Sequence, residues 1–336
     1  MRPAAHIPEP APAPGCLADR QGRSIRYLRL SLTDRCNFRC GYCSAAGLET
    51  PEALLTLPEL HRLVGLFARL GVRRVRLTGG EPTLRREVVE IAAAVRAVPG
   101  IDEVALTTNG HRLAELAVPL RRAGVTALNV SLDTLDPAVL ARVSGRAARL
   151  APVLAGLDAA AAAGYPSLKV NTVVLGGVND GELPALARHA WSRGAVPRFI
   201  ELMPFGPGAP VSCAEVERRL ARAGIALAPD STRGWGPARY LRARCPDGLG
   251  GLVGFIGAMT ENFCASCNRA RVAADGAFQA CLGGHERVPL RELLRAGAPD
   301  DEIEDRIRAA LGRKEPRHHM DDPGRLVLLP MRGIGG

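Results

Sequence analysis

The most informative segment of the sequence is Tyr27-Leu-Arg-Leu-Ser-Leu-Thr-Asp-Arg-Cys36-Asn-Phe-Arg-Cys40-Gly-Tyr-Cys43. Its first seven residues form a strand-like run, and three cysteines in C-x3-C-x2-C spacing follow in a loop. Three closely spaced thiolates can hold three irons of a [4Fe–4S] cluster and leave the fourth iron without a protein ligand. Because catalytic metal sites need such an open position, the segment predicts a strand with a reactive iron–sulfur site at its carboxyl end.

The same order of strand and helix recurs along the next 180 residues. The predicted strands are Tyr27–Thr33, Val72–Thr78, Glu103–Thr108, Ala127–Leu132, Lys169–Val174 and Arg198–Leu202. The predicted helices between them are Pro58–Leu70, Arg85–Val98, Leu113–Ala123, Pro152–Ala163 and Glu182–Ser192. Six such units in series require parallel strands joined by right-handed crossovers.

Two closures are open to such a sheet, a doubly wound sheet and a barrel. Polar segments such as Gly79-Gly80-Glu81-Pro82 and Thr107-Thr108-Asn109-Gly110 follow the strands at their carboxyl ends, where barrel enzymes build their sites. The fold class is therefore predicted as α/β, an incomplete (β/α)6 TIM-type barrel, since a full barrel needs eight units.

The pattern changes after about Gly224 to Gly- and Pro-rich pieces with short strands, which predict a smaller C-terminal α+β domain. Its predicted elements are the strands Val253–Ile256, Arg271–Ala273 and Ala277–Ala280 and the helix Asp300–Leu311. The predicted organisation is a mobile Pro/Ala-rich tail at 1–23, the partial barrel at 24–225, and a cysteine-bearing domain at 226–336 that covers the open barrel.

Composition excludes several classes of function. The net charge is +10, but only Lys169 and Lys314 are lysines, so arginine supplies nearly all the basic charge. Aromatic residues are only 4%, too few to stack nucleobases, and a small phosphorylated substrate is the better partner for the arginines. No apolar run approaches the roughly 20 residues that span a bilayer, and the start lacks a signal-peptide pattern. We therefore expect a cytoplasmic protein that binds neither nucleic acid nor membrane.

Nine cysteines suggest metal in a cytoplasmic protein. A second triad, Cys264-Ala-Ser-Cys267 followed by Cys281, predicts a second cluster with three thiolate ligands. Cys245 could complete a closed cluster, or a structural zinc site, at this second triad. Without Cys245 the second cluster also keeps an open iron, which a purine base could bind. At the first triad a zinc site would need a fourth ligand, and none is nearby in the sequence.

Arg269 and Arg271 lie inside the loop of the second triad. Guanidinium groups bind phosphate oxygens through paired hydrogen bonds, so these two side chains predict a phosphate site beside the cluster. Isolated arginines are more often solvated surface charges, but their position between cluster ligands favours a ligand-binding role.

The first triad and the Gly79-Gly80-Glu81-Pro82 segment resemble the radical S-adenosylmethionine superfamily. The resemblance implies that the amino and carboxylate groups of S-adenosylmethionine chelate the open iron, and that one electron breaks the C–S bond to give a 5′-deoxyadenosyl radical. It also implies that Tyr42, Gly80, Ser131 and Met203 contact S-adenosylmethionine. The alternative for Met203 is core packing.

Ordered matches along nearly the whole chain resemble a narrower family, the MoaA-type GTP 3′,8-cyclases. They include Arg76-Leu-Thr-Gly-Gly-Glu-Pro, Leu128-Asn-Val-Ser-Leu-Asp-Thr-Leu-Asp and Phe263-Cys-Ala-Ser-Cys-Asn-Arg-Ala-Arg. The family implies removal of the ribose 3′ hydrogen of GTP and attack of the carbon radical on C8, the start of molybdenum-cofactor biosynthesis. It implies that GTP is bound by Arg29, Arg76, Thr107, Lys169, Arg269 and Arg271.

The resemblance further implies a terminal Gly335-Gly336 that enters the site, a low-potential donor of the flavodoxin or ferredoxin type, and a downstream cyclic pyranopterin monophosphate synthase. The assembly is expected to be a monomer or homodimer. Ser44-Ala45 replaces the family's Met-Pro, and Arg332 and Gly333 interrupt the tail motif. Two rivals remain, a radical enzyme acting on a peptide and a non-catalytic iron–sulfur scaffold.

Overall fold

The computed structural model describes residues 16–43, 54–145, 148–204, 207–322 and 331–334. Its strands are β1 (Tyr27–Ser31), β2 (Arg74–Thr78), β3 (Glu103–Thr108), β4 (Val125–Ser131), β5 (Ser167–Val174), β6 (Val196–Glu201), β7 (Ala226–Pro229), β8 (Arg239–Arg244), β9 (Gly250–Ile256), β10 (Arg269–Val272), β11 (Ala277–Gln279) and β12 (Val288–Pro289). Its helices are α1 (Leu57–Arg69), α2 (Val88–Arg96), α3 (Leu113–Arg122), α4 (Pro137–Ser144), α5 (Leu150–Ala162), α6 (Leu183–Trp191), α7 (Cys213–Arg222), α8 (Leu290–Arg295), α9 (Asp300–Gly312) and α10 (Met331–Ile334).

Local signals in the sequence set the helix ends. Before α1, the Thr56 side chain accepts from the Glu59 N–H, and the Glu59 carboxylate accepts from the Thr56 N–H, which satisfies free donors at the helix start. Gly71 follows the helix with a φ of 96°, a conformation that glycine adopts without strain. These signals explain why α1 begins and ends within one residue of its predicted bounds.

All the strands form one sheet, in the order β12-β11-β10-β1-β2-β3-β4-β5-β6-β9-β8-β7. Strands β1 to β6 pair in parallel, as predicted from the repeated strand–helix units. The C-terminal segment adds a further parallel strand on each side, β10 beside β1 and β9 beside β6. Eight neighbouring strands therefore run parallel, which is the number in a full barrel. Six of them come from the strand–helix units, and the other two, β9 and β10, come from the C-terminal segment.

The sheet curves around one cavity. Every one of the eight parallel strands contributes at least one side chain to the cavity wall, from Arg271 on β10 to Ile256 on β9. A flat sheet could not place side chains from eight strands around one cavity, so the curvature is that of an open barrel. The predicted fold class, an incomplete (β/α)6 barrel with a smaller C-terminal part, is confirmed.

Two apolar cores hold the C-terminal part against the barrel. The larger core joins β1–β5 and their helices to α8 and α9 through Leu290, Ile303 and Ile307. The second core packs α7 against β6 and β9, with Leu220 beside Phe199 and Phe255. Since α7 precedes residue 226 and packs with β9, which follows it, the predicted boundary at 225/226 does not separate independent cores and stays a prediction.

Residues 16–23 correct one part of the predicted tail. Leu17 is buried, and its backbone N–H donates to the Leu70 carbonyl at 2.7 Å. Arg23 and Asp19 form a buried ion pair at 2.5 Å. These residues pack on the body because Leu17 finds an apolar site beside α1. The predicted Pro/Ala-rich residues 1–15 lie outside the described residues.

Most predicted elements agree with the structure to within three residues. The helices and strands that were not predicted are α4, α7, α8, α10, β7, β8 and β12. No helix in the described part of the chain combines the length and apolar character needed to cross a bilayer.

Glu81 joins the loops after β2 and β3. Its buried carboxylate accepts from the Thr83 N–H, the hydroxyls of Thr83 and Thr108, and the Asn109 N–H, at distances of 2.5 to 3.1 Å. Burial raises the pKa of Glu81, and these four donors oppose the rise.

We expect Glu81→Ala to destabilise the protein by about 3 kcal/mol, because it leaves four donors unpaired in the interior. The midpoint of urea-induced unfolding measures the effect. Glu87→Ala is the matched control, since Glu87 is exposed and lies 3.9 Å from Arg85. Equal midpoints for the two variants would contradict this role of Glu81.

Candidate functional site

The first cysteine triad lies in the loop that leaves the carboxyl end of β1. The Cys36 Sγ accepts from the Phe38 N–H at 3.4 Å, and the Asn109 amide, 4.0 Å away, also faces it. Asn109 further donates to Asn37 Oδ1 at 2.7 Å. The loop after β3 thus fixes the triad loop from the side, and Glu81 in turn fixes Asn109 through its backbone.

Two contacts shape the rest of this loop. Cys40 Sγ donates to Ser144 Oγ at 3.2 Å, and Tyr42 Oη donates to Asp133 Oδ2 at 2.5 Å. Burial and the Asp133 carboxylate raise the pKa of Cys40 to about 12. Burial also raises the pKa of Asp133 to about 6. A metal that binds Cys40 must therefore displace its proton.

Gly80 lies where the loop after β2 meets the triad loop. Its N–H donates to the Thr33 carbonyl at 2.7 Å. A Cβ at this position would lie 2.3 Å from the Arg35 carbonyl oxygen and 2.6 Å from that of Asp34. Only glycine allows two backbone segments to approach so closely.

We expect Gly80→Ala to lower the iron content by one cluster per chain, because the methyl group would push Arg35, and with it Cys36, out of position. Overpacking of this kind costs about 2 kcal/mol, so the thermal midpoint should fall as well. Iron and sulfide analysis after reconstitution measures the first effect. Gly181→Ala is the control, since no atom lies within 4 Å of a Cβ there. Full iron content in Gly80→Ala would contradict the proposed crowding.

The second triad lines the barrel cavity. Cys264, Cys267 and Cys281 all contribute to its wall. Burial raises the pKa of Cys267, but Arg269 and Lys314 more than offset this and hold it at about 7. A thiol that ionises near neutral pH is a ready metal ligand, so the charge around this triad suits iron binding.

Among the residues that the structure describes, no three His, Cys, Asp or Glu side chains converge closely enough to hold a single metal ion. A zinc ion needs four ligands converging on one point, whereas cluster thiolates each bind a different iron. The finding therefore argues against a zinc site at the second triad. It does not test whether the triad holds an iron–sulfur cluster.

Cys245 does not join the second triad. It follows the far end of β8, where its N–H donates to the Leu249 carbonyl, and it packs in the second core. Tyr240, near the other end of β8, lines the cavity. Five residues of strand separate the two by about 16 Å. The sequence alternative in which Cys245 closes the cluster, or a zinc site, does not fit this position.

Strand register arranges the predicted GTP residues in rows. Arg271, Arg29 and Arg76 are direct neighbours across β10, β1 and β2. A second row joins Thr107, Asn129 and Lys169 across β3, β4 and β5. Arg76 connects the two rows by donating to Thr107 Oγ1 at 3.0 Å.

These cations repel one another inside the cavity. Burial lowers the pKa of Arg29 well below its usual value, and the nearby Arg271 lowers it further. Burial and Arg269 lower the pKa of Arg271 to about 10. The pKa of Lys169 is also well below its usual value, through burial and then Arg198. A polyanion in the cavity would relieve this repulsion, so the site is suited to several phosphates.

The pKa of Tyr27 reflects the same excess of positive charge. Burial raises its pKa, but Arg76, Arg74 and Arg29 overcome this and hold it at about 7. The Arg74 guanidinium lies 5.0 Å from the centre of the Tyr27 ring, and Arg76 Nε donates to the Tyr27 hydroxyl. A phenol that ionises near neutral pH is a partial counter-charge for the surrounding arginines.

Of the predicted residues, Arg29, Arg76, Thr107, Lys169, Arg269, Arg271, Met203 and the second triad line this one cavity. The first triad, Tyr42, Gly80 and Ser131 instead lie in the loops or at the ends of β1, β2 and β4. The predicted tail residues Gly335 and Gly336 lie outside the described residues. Just before them, Met331 lines the cavity, and the Gly333 carbonyl accepts from the Ala274 N–H at 2.9 Å.

Sequence reasoning missed several cavity residues. They are Tyr27, Arg74, Asn129, Arg198, Trp235 and His318. The first two lie two positions before Arg29 and Arg76, so strand alternation could have found them. Asn129 stands in register with Lys169. Trp235 lies in a Gly/Pro-rich loop without a pattern, and Arg26 and Arg74 stack on its ring at 5.8 Å.

Comparison with known proteins agrees with this arrangement. Residues 30–190 match the radical SAM superfamily, and residues 196–320 match a family described as Molybdenum Cofactor Synthesis C. The chain is 41% identical over 334 residues to a GTP 3′,8-cyclase of Pseudomonas entomophila, covering 96% of this chain and 98% of that protein. It is 42% identical over 330 residues to one of Marinobacter nauticus, covering 95% and 98%.

Among solved structures, Streptococcus suis SuiB bound to S-adenosylmethionine matches with a TM-score of 0.59 at 13% identity. The match covers 86% of this chain and 67% of that one, and it is a likeness of fold.

Proposed function

This chain belongs to the GTP 3′,8-cyclase family of radical S-adenosylmethionine enzymes, and from that membership we propose how its residues carry out the reaction. The enzyme converts GTP to (8S)-3′,8-cyclo-7,8-dihydroguanosine 5′-triphosphate, the first step of molybdenum-cofactor biosynthesis. The observation that carries the assignment of residues is the single cavity shared by a cysteine triad and a group of buried and half-buried cations.

The first triad, Cys36, Cys40 and Cys43, holds a [4Fe–4S] cluster in this proposal. When bound, that cluster and S-adenosylmethionine supply the 5′-deoxyadenosyl radical that removes the 3′ hydrogen of GTP. Gly80 lets the backbone approach the methionine end, while Tyr42, Ser131 and Met203 contact the rest of the molecule. Tyr42 is held for this role by its hydrogen bond to Asp133.

The second triad, Cys264, Cys267 and Cys281, holds a second cluster with one iron open to the guanine base. The position of Cys245, about 16 Å along β8 from the cavity wall, supports an open cluster over a closed one. It also weakens the rival in which a closed auxiliary cluster serves a peptide substrate.

The two rows of side chains, Arg271-Arg29-Arg76 and Thr107-Asn129-Lys169, bind the triphosphate and ribose in this proposal. Arg29, Arg76 and Arg271 face the phosphates from adjacent strands, and Arg269 lies two residues before Arg271 at the start of β10. Lys169 and Thr107 reach the nucleotide from the second row. Because the cations repel one another, binding the negatively charged GTP gains attraction and also offsets that repulsion.

The remaining partners are a low-potential flavodoxin or ferredoxin as electron donor and a cyclic pyranopterin monophosphate synthase that takes the product. A cytoplasmic location fits these partners, and the division at residues 24–225 and 226–336 describes the two functional parts.

The deciding experiment is an anaerobic assay of the reconstituted protein with S-adenosylmethionine, a strong reductant and GTP deuterated at the ribose 3′ position. We expect deuterium in 5′-deoxyadenosine and an equal amount of cyclised nucleotide. GTP deuterated at the 2′ position is the control and should transfer none. If 5′-deoxyadenosine forms while GTP stays unchanged, the radical chemistry stands and the substrate is wrong. If none forms with both clusters intact, the chain is a scaffold.

A further inference from the structure

The segment that follows α9 wraps around the second triad. Lys314 lies two residues beyond the end of α9, and its side chain is only 6% exposed. Its Nζ donates to Cys267 Sγ at 3.7 Å and to the Arg269 carbonyl at 3.0 Å. One ammonium group thus bridges a cluster ligand and the first residue of β10.

Arg23 holds this segment in place. Its guanidinium donates to the carbonyls of Glu315 and Pro316 at 2.8 and 2.9 Å, and to the Cys264 carbonyl at 2.8 Å. Arg23 is itself fixed by its buried pair with Asp19. The backbone around Lys314 is therefore tied to the same triad that its side chain contacts, and the Lys314–Cys267 contact is a built feature of the fold.

The residue type supports a specific role. Lysine and arginine together number 44, yet only two of them are lysines, and the other, Lys169, lines the same cavity. A lysine offers compact N–H donors on a flexible stem, which can reach a buried sulfur. Burial lowers the pKa of Lys314 while Cys267 and Cys281 oppose this, and an amine keeps N–H donors in either protonation state.

We propose that Lys314 is a positioning residue for the second cluster, holding Cys267 toward the cavity and donating an N–H to its sulfur so that the cluster is easier to reduce. Hydrogen bonds to cluster sulfurs withdraw electron density from them, which favours the reduced state and raises the reduction potential. The inference rests on the proposed cluster at Cys264, Cys267 and Cys281.

The test is a redox titration of full-length protein followed by electron paramagnetic resonance. The chain carries Cys36→Ala, Cys40→Ala and Cys43→Ala, so that the signal comes from the second triad. We expect Lys314→Met to lower the ratio of reduced to oxidised cluster about tenfold at a fixed potential, which is a midpoint about 59 mV more negative for a one-electron couple. Lys314→Arg, which keeps an N–H donor, should restore most of the difference.

Arg313→Met is the matched control. It removes the same charge from the neighbouring residue, but Arg313 is exposed and pairs with Glu286 outside the cavity. Its midpoint should equal that of the unsubstituted chain. If Lys314→Met cannot hold iron, Lys314→Arg must hold it for the proposal to stand.

Two failures are distinguishable. If Lys314→Met keeps its iron and its midpoint is unchanged, the role of Lys314 is overturned and the second cluster stands. If the chain with Lys314 intact forms no cluster at the second triad, the proposed cluster is overturned and the inference falls with it.

Discussion

Cys40→Ala is expected to abolish 5′-deoxyadenosine formation, whereas Cys267→Ala should preserve some of it and abolish cyclisation of GTP. The structure places the two cysteines in separate sites, Cys40 in the loop after β1 beside Ser144 and Cys267 in the cavity wall beside Lys314. If each triad holds its own cluster, each substitution should remove the iron of one cluster and leave the other. Because radical formation needs only the first site, the two activities should separate.

Iron and sulfide content, 5′-deoxyadenosine and cyclised nucleotide are measured on the same anaerobic samples. Cys16→Ala is the control, since Cys16 lies outside both triads and packs beside Gly71. It should keep both activities. Cyclisation of GTP by Cys267→Ala at the rate of the unsubstituted enzyme would rule out a role for the second triad. Normal 5′-deoxyadenosine formation by Cys40→Ala would do the same for the first.

Arg271→Met is expected to raise the Kd for GTP at least about thirtyfold, because loss of one partner of a buried charge pair costs 2 kcal/mol or more. Arg271 is buried and stands next to Arg29 across the β10–β1 pair, so its guanidinium faces the space assigned to the phosphates. The thermal midpoint without GTP should not fall, since burial and Arg269 already disfavour its charge.

Isothermal titration calorimetry of the reconstituted, anaerobic protein measures the affinity. Arg287→Met is the matched control, because Arg287 is exposed and pairs with Asp275 at 2.6 Å away from the cavity. It should leave the Kd for GTP unchanged. Equal affinities for the Arg271 and Arg287 variants would show that the triphosphate does not lie against β10.

The sequence was sufficient for the barrel because strand–helix periodicity is local. Runs such as Glu103–Thr108 have apolar patterns and turn signals within a few residues of one another, and the structure reproduces that strand without change. Helix α7 was missed although Ser212 caps it, because residues 209–244 carry no recognisable motif. The pairing of β9 and β10 with opposite sides of the barrel could not be predicted, since contacts between distant segments leave no local pattern.

The site residues, like the elements of the fold, could be predicted only where their signals in the sequence are local or belong to a known family. The cysteine triads are visible in spacing alone, and the resemblance to a family supplied Arg29 and Lys169. Whether Cys245 is a fourth ligand at the second triad could be judged only from the structure, in which the length of β8 separates Cys245 from the cavity. The contact between Lys314 and Cys267 joins residues 47 positions apart, and no pattern in the sequence near either residue predicts it.

The two outer parallel strands also bear on how this chain is synthesised. Strands β1 and β6 find their outer partners, β10 and β9, only in the last third of the chain. While the ribosome is still adding those residues, the six barrel strands present two unpaired edges, and such edges invite association between nascent chains. We therefore expect a fragment of residues 16–225 to aggregate when it is expressed alone, which its sedimentation would reveal. Completion of the chain is, in this sense, what protects its own first two thirds.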